Sequence, residues 1–174
     1  CRCPCAWTTA DGQGTVMSDE NNRLFDVRLD DRNFVARNPE VEHERRVAIY
    51  DLLEDNYFRM VGTDNGPYAL RLLRQESRLI FEITDDDGFH FADIPLALST
   101  FRKIIRDYFT VCESYYDAIK TATPSKIEAI DMGRRGLHDE GADLLKEKLA
   151  EYVDVDESTA RRLFTLICVL HVRS

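Results

Sequence analysis

Apolar positions three and four residues apart organise the second half of the chain. Phe101, Ile104, Ile105, Tyr108, Phe109, Cys112, Tyr115, Tyr116 and Ile119 draw one stripe down a predicted helix. Arg102, Lys103, Arg106, Asp107, Glu113, Asp117 and Lys120 fill the opposite face. A second helix is predicted from Thr123-Pro124-Ser125-Lys126-Ile127-Glu128, because proline suits a first helical turn and Ser125 and Glu128 have capping-box spacing. In a third, capped by Asp156 or Ser158 and running to Arg173, the residues Leu163, Phe164, Leu166, Ile167, Val169, Leu170 and Val172 are apolar nearly all round. A helix with no polar face is buried on most sides, so this one is expected in the core, with Cys168 beside Phe164 and Ile167.

The first half alternates with period two. Phe25, Val27 and Leu29 predict a strand with one buried face. Asn38-Pro39-Glu40 supplies a helix cap, a proline at the first position and an acid in the first turn. That helix buries Val41, Ala48, Ile49, Leu52 and Leu53 and presents Glu42, His43, Glu44, Arg45 and Arg46 mostly to solvent. Four short strands follow: Tyr57 to Val61; Tyr68, Leu70 and Leu72; Leu79, Phe81 and Ile83; then Phe89, Phe91 and Ile94. Asn65-Gly66-Pro67, Gln75-Glu76-Ser77 and Asp85-Asp86-Asp87-Gly88 are turns between them, and such tight connections predict a four-strand antiparallel meander. Strand, helix, meander and three C-terminal helices together make an α+β fold.

The 174 residues suit one domain, expected over 17–174. A net charge of −9 argues against nonspecific nucleic-acid binding and against docking on anionic lipid. No apolar run approaches the roughly 20 residues of a membrane helix. Cys112 and Cys168 sit in apolar stripes and read as reduced, buried thiols, which suits the cytoplasm; a bridge between them stays open at this level. Residues 1–16, with Cys1, Cys3 and Cys5 but no periodicity, are expected to be a disordered or non-native extension ahead of Met17. A soft-metal site at the three thiols and a lipid-modified Cys1 are the competing readings.

Familiar catalytic signatures are absent: there is no Gly-x-Ser-x-Gly, P-loop, dinucleotide glycine fingerprint or His-Glu-x-x-His. No cofactor is implied, and His43, His90, His138 and His171 show no spacing that implies a metal. The Asp85–Asp87 run lacks the alternating ligands of a calcium loop and reads as a solvated turn. Chemistry concentrates instead in Gly133-Arg134-Arg135-Gly136-Leu137-His138-Asp139-Glu140-Gly141. At helical spacing Arg134, Arg135 and His138 share a surface and can clamp a phosphate or carboxylate. The competing account is structural. Asp131–Arg135 and Arg135–Asp139 are both spaced to pair along the helix, and Gly133, Gly136 and Gly141 can each serve only to admit a neighbouring helix.

Leu29-Asp30-Asp31-Arg32-Asn33, Asp55-Asn56-Tyr57-Phe58, Cys112-Glu113-Ser114-Tyr115-Tyr116, Ile127 to His138 (IEAIDMGRRGLH) and Ala160 to His171 (ARRLFTLICVLH) resemble the UPF0262 family, an uncharacterised family of alphaproteobacterial proteins. The resemblance covers about residues 17–174 and implies a small cytoplasmic protein, with no catalytic residues to carry over. From the residues themselves, the first expectation is a non-catalytic binding or regulatory domain acting on a protein or a small anionic ligand. The second is an enzyme acting on a phosphorylated or carboxylated metabolite, with Arg134 and Arg135 as clamps, His138 as acid or base and Glu113 as an assistant. Oligomeric state is unknown at this level. The two expectations divide on whether Arg134, Arg135 and His138 line a concave pocket.

Overall fold

The computed structural model describes residues 20–30 and 39–171. The expectations for residues 1–16, for the Asn38 cap and for Val172 lie outside the described residues. Among the described residues the elements follow in this order: β1 (Leu24–Leu29), α1 (Pro39–Glu54), β2 (Phe58–Met60), β3 (Tyr68–Gln75), β4 (Arg78–Thr84), β5 (His90–Ala97), α2 (Leu98–Thr121), α3 (Pro124–Leu149), β6 (Val153–Val155) and α4 (Glu157–His171). The fold is α+β, as the patterning predicts.

The strands pair differently from the expectation. The meander has three strands, not four: β3, β4 and β5 are antiparallel neighbours, and β1 lies beside β3 in parallel, giving the order β1-β3-β4-β5. A parallel neighbour needs a long crossover, and α1 lies within that connection. β2 leaves the meander altogether and pairs antiparallel with β6, placing Phe58 opposite Val155 and Met60 opposite Val153. Val-Asp-Val is too short to announce a strand. Its two valines are buried and Asp154 is exposed, so the alternation is real but only three residues long.

Two irregularities shift which side chains face inward. In β1 the register slips between Leu24 and Asp26, so Leu24 is buried and Phe25 is exposed, against the expectation for Phe25. In β5 a slip beside Phe91 leaves Phe89 exposed and brings Ile94 and Leu96 into the core. A single extra residue reverses the facing of everything beyond it, because side chains alternate with period two. Gly88 ends the preceding turn at φ +82°, a conformation that disfavours side chains, while the Asp85 carboxylate accepts the Phe89 N–H at 2.7 Å. That bond supports the turn reading of the Asp85–Asp87 run.

One sheet face carries Tyr68, Leu70, Leu72, Leu79, Phe81, Ile83, Ile94 and Leu96, all buried. On the other, Arg71 reaches Asp30 at 3.6 Å and Glu82 at 3.8 Å. The apolar face shares one hydrophobic cluster with α4, where Leu163, Phe164, Leu166 and Ile167 are wholly buried. The all-round apolar pattern of α4 therefore marks a core helix. Its start is capped by Asp156, whose carboxylate accepts the Thr159 N–H at 2.8 Å. Thr159 in turn accepts the Tyr57 N–H at 2.9 Å. Asn56 accepts the Leu24 N–H at 2.7 Å and donates to the Leu24 carbonyl at 3.0 Å. The Asn56-Tyr57-Phe58 motif thus ties β1, the end of α1 and α4 together through partly buried polar groups.

α2 and α3 form a long helical hairpin. α3 begins with Pro124 at its first position, as predicted, but Thr123 is the cap residue and makes no side-chain cap hydrogen bond, so the predicted Ser125–Glu128 capping box lies inside the first turn. The stripe of α2 is buried at Phe101, Ile104 and Ile105, and thins out beyond Phe109 until Tyr116 and Ile119 are about half exposed. Leu53 of α1, expected inside, is exposed as well. Cys168 is buried, Cys112 is half-buried, and both are free thiols. No helix among the described residues is long and apolar enough to cross a membrane.

Candidate functional site

The middle of α3 presents Asp131, Arg134, Arg135 and His138 on successive turns. Asp131 holds both arginines. Its Oδ1 accepts from Arg134 Nε at 3.0 Å and Nη2 at 2.7 Å, and its Oδ2 lies 2.7 Å from Arg135 Nη2. The hydrogen bond from Arg134 keeps the Asp131 carboxyl below the usual carboxylate range. One carboxylate thus serves two guanidiniums. Arg134 also lies over the Tyr115 ring, 5.2 Å from its centroid. The expected Asp131–Arg135 pair is present, but the expected Arg135–Asp139 pair is not: Asp139 meets Arg161 of α4 at 3.1 Å.

His138 faces inward. Its ring centroid is 5.4 Å from that of Tyr108 and 5.3 Å from that of Phe164. Its Nε2 is 2.9 Å from Thr165 Oγ1, which itself donates to the Arg161 carbonyl at 3.2 Å. With the threonine hydroxyl hydrogen on that carbonyl, the neutral imidazole donates from Nε2. Burial, and then the Arg161 charge, push the His138 pKa down to about 4. The imidazole is neutral at pH 7.

These side chains line a cleft of about 590 Å³. One wall is α1 (His43, Glu44, Val47, Ala48 and Asp51), another is α3 (Arg134, Arg135 and His138), and Arg161, Arg162 and Thr165 of α4 and Tyr108 of α2 complete the lining. Past His138 and Thr165 a second hollow of about 710 Å³ shares Arg161 and Arg162 and reaches Asp156, Glu157 and Ser158 at the start of α4. Four arginines therefore converge on one cleft of an acidic protein. Arg162 donates through Nη1 to the Asp55 carbonyl at 2.6 Å, a neutral partner that leaves its charge in place.

Arg134, Arg135 and His138 thus meet at one concave surface, as their spacing suggests. Glu113 is exposed on α2 and is not among the cleft-lining residues. His90 pairs with Asp93 at 2.8 Å on β5, away from the cleft. Arg161, Arg162, Thr165, His43, Glu44 and Asp51 went unrecognised in the sequence. For α4 a signal existed: adjacent arginines break a helix otherwise apolar all round, and a charge on a core helix needs a polar place to go. For α1 there was none, since His43 and Glu44 sit in a charge run that reads as solvated surface.

Among known proteins, the model of the family described as "Uncharacterised protein family (UPF0262)" matches residues 21–173. A UPF0262 protein of Paramagnetospirillum magneticum is 56% identical over 151 residues, covering 87% of this chain and 96% of its own length. One from Hyphomonas neptunium is 55% identical over 150 residues, covering 86% and 93%. Another, from Rhizobium etli, is 55% identical over 158 residues, covering 90% and 99%. No solved structure matches the chain.

Proposed function

The chain belongs to the UPF0262 family, whose description assigns no chemistry, and from the cleft we propose that it is a non-catalytic binding domain for a small anionic ligand, phosphorylated or carboxylated. The observation that carries this reading is the convergence of Arg134, Arg135, Arg161 and Arg162 on one cleft with only part of their charge met by Asp131 and Asp139. Guanidinium forks suit phosphate and carboxylate oxygens, and a volume of about 590 Å³ falls within the range of small-molecule sites. The free thiols Cys112 and Cys168 support a cytoplasmic setting, and the shared hydrophobic cluster supports one domain over 17–174.

The enzymatic reading through the same residues draws less support. A general acid or base works best with a pKa near the operating pH, whereas His138 is held near 4 with its Nε2 hydrogen-bonded to Thr165.

Opposed substitutions on one carboxylate system test the binding reading. Inorganic pyrophosphate and citrate serve as probes in thermal-shift and calorimetric titrations of the full chain. Arg135→Ala should weaken binding by about 1.5–3 kcal/mol, the usual worth of a hydrogen bond to a charged group. Asp131→Asn, which releases two guanidiniums, should strengthen it. No binding of either probe at millimolar concentration, or equal effects of the two substitutions, would overturn the proposal.

A further inference from the structure

One side of α3 has no partner within the chain. Ala129, Met132, Gly133 and Gly136 recur at steps of three and four, so they share a stripe, and all four are exposed. Arg134, Arg135 and His138 line the cleft from another side of the same helix. A Cβ added at Gly133 or Gly136 would meet nothing within 4 Å. Met132 is 67% exposed beside them. The stripe is charged at its ends, and the two ends differ in sign. Lys126 continues it toward the N-terminus of α3, and Glu140 and Asp143 continue it the other way. All three are exposed, and their side chains make no hydrogen bond or ion pair among the described residues. Lys126 and Asp143 stand about 25 Å apart along the helix axis, with the two glycines about the midpoint.

A face of this kind is complementary to itself. A second copy laid parallel would set Lys126 on Lys126 and acid on acid. Laid antiparallel, it sets Lys126 of each copy against Glu140 and Asp143 of the other, and a two-fold axis makes both sets of pairs at once. We propose that this side of α3 is where two copies of the chain associate, crossing antiparallel at Gly133 and Gly136. Glycine there lets the two backbones approach, and Met132 of each copy packs over the small residues of the other. The net charge of −9 on each copy opposes association over distance. At physiological ionic strength that repulsion is screened beyond about 8 Å, which leaves the local pairs to decide. Association through this face does not depend on what the cleft binds.

Charge reversal tests this by sedimentation velocity on the full chain, over a dilution series that reaches millimolar protein. The parent chain should shift from monomer to dimer along the series. Lys126→Glu should raise the dimer Kd at least tenfold, and so should Glu140→Lys combined with Asp143→Lys, because each sets like charges face to face. An equimolar mixture of the two variants should dimerise at least as tightly as the parent, since every pair across the axis is again opposite in sign. A melting curve for each variant at high dilution establishes that it is folded. Gly136→Ala should weaken dimerisation and yet raise the melting temperature of chain dilute enough to be monomeric. A parent that stays monomeric throughout, charge variants that pair as the parent does, or a mixture no tighter than its components would overturn the proposal.

Discussion

The two halves of α3 carry the same unusual residue to opposite ends. At its C-terminal half, Gly141 lies against Phe164 so closely that an added Cβ would sit 2.2 Å from the ring, and Ala142, Leu145 and Leu149 are buried around it. At its N-terminal half, Gly133 and Gly136 face open space with nothing within 4 Å, Met132 is two-thirds exposed, and no residue from Pro124 to Glu140 is more than partly buried. Between the two lies the turn that holds His138. A glycine in a helix costs roughly 1 kcal/mol relative to alanine wherever it stands. Only at Gly141 does close packing within the chain offset that cost. Glycine identity therefore says that a helix has been weakened, and the neighbour across from it says why.

The largest effect should come from the buried side of this contrast. Phe164→Ala removes a wholly buried ring that touches both Gly141 and His138, and should cost about 3–5 kcal/mol in chemical denaturation. Gly141→Ala should cost about 1–3 kcal/mol through overpacking, and far less in a Phe164→Leu background, where the offending ring is gone. Additive losses in the double variant would show that the wedge between Gly141 and Phe164 is not what makes the glycine necessary.

His138 sharpens the contrast at its midpoint. Its folded pKa, about 4, lies below the ordinary 6.5 of the unfolded chain, so between those values the unfolded state binds more protons. The contribution is fully present above pH 6.5 and is lost as pH falls toward 4. The separation corresponds to about 3 kcal/mol at most, and solvent screening of a half-buried ring brings this to about 1–2 kcal/mol. His138→Gln, which keeps a donor for Thr165, should flatten the stability profile over that window. An unchanged profile in urea melts from pH 7 to pH 4 would mean that the imidazole is not held neutral.

The smallest effects belong to the open half. Gly133→Ala and Gly136→Ala should each raise stability by up to about 1 kcal/mol, because nothing in the fold obstructs a methyl group there. A drop in melting temperature for either would erase the distinction between the two halves of the helix.

How much could be read beforehand follows the range of the interactions. The α2 stripe, the proline start of α3, the core character of α4 and the turns at Glu76 and Gly88 all show in the sequence, because each is decided within a few residues. The slips at Phe25 and Phe91 do not, since a bulge is settled by the partner strand. Within the site, Arg134, Arg135 and His138 were recoverable from helical spacing on one element. Arg161 and Asp51 were not, because their relevance lies in facing that element from two others.

The sequence by itself determined the periods: which segments coil and, β6 apart, which extend. It also determined that one helix would carry an arginine–histidine cluster. Tertiary structure decided the pairings. β2 joined β6 rather than the meander, Asp139 went to Arg161 rather than Arg135, and of three glycines only Gly141 met another helix. The physical reason is that periodicity is a property of neighbours along the backbone, whereas a charge or a cavity takes its meaning from whatever the fold places within a few ångströms, however distant in the chain.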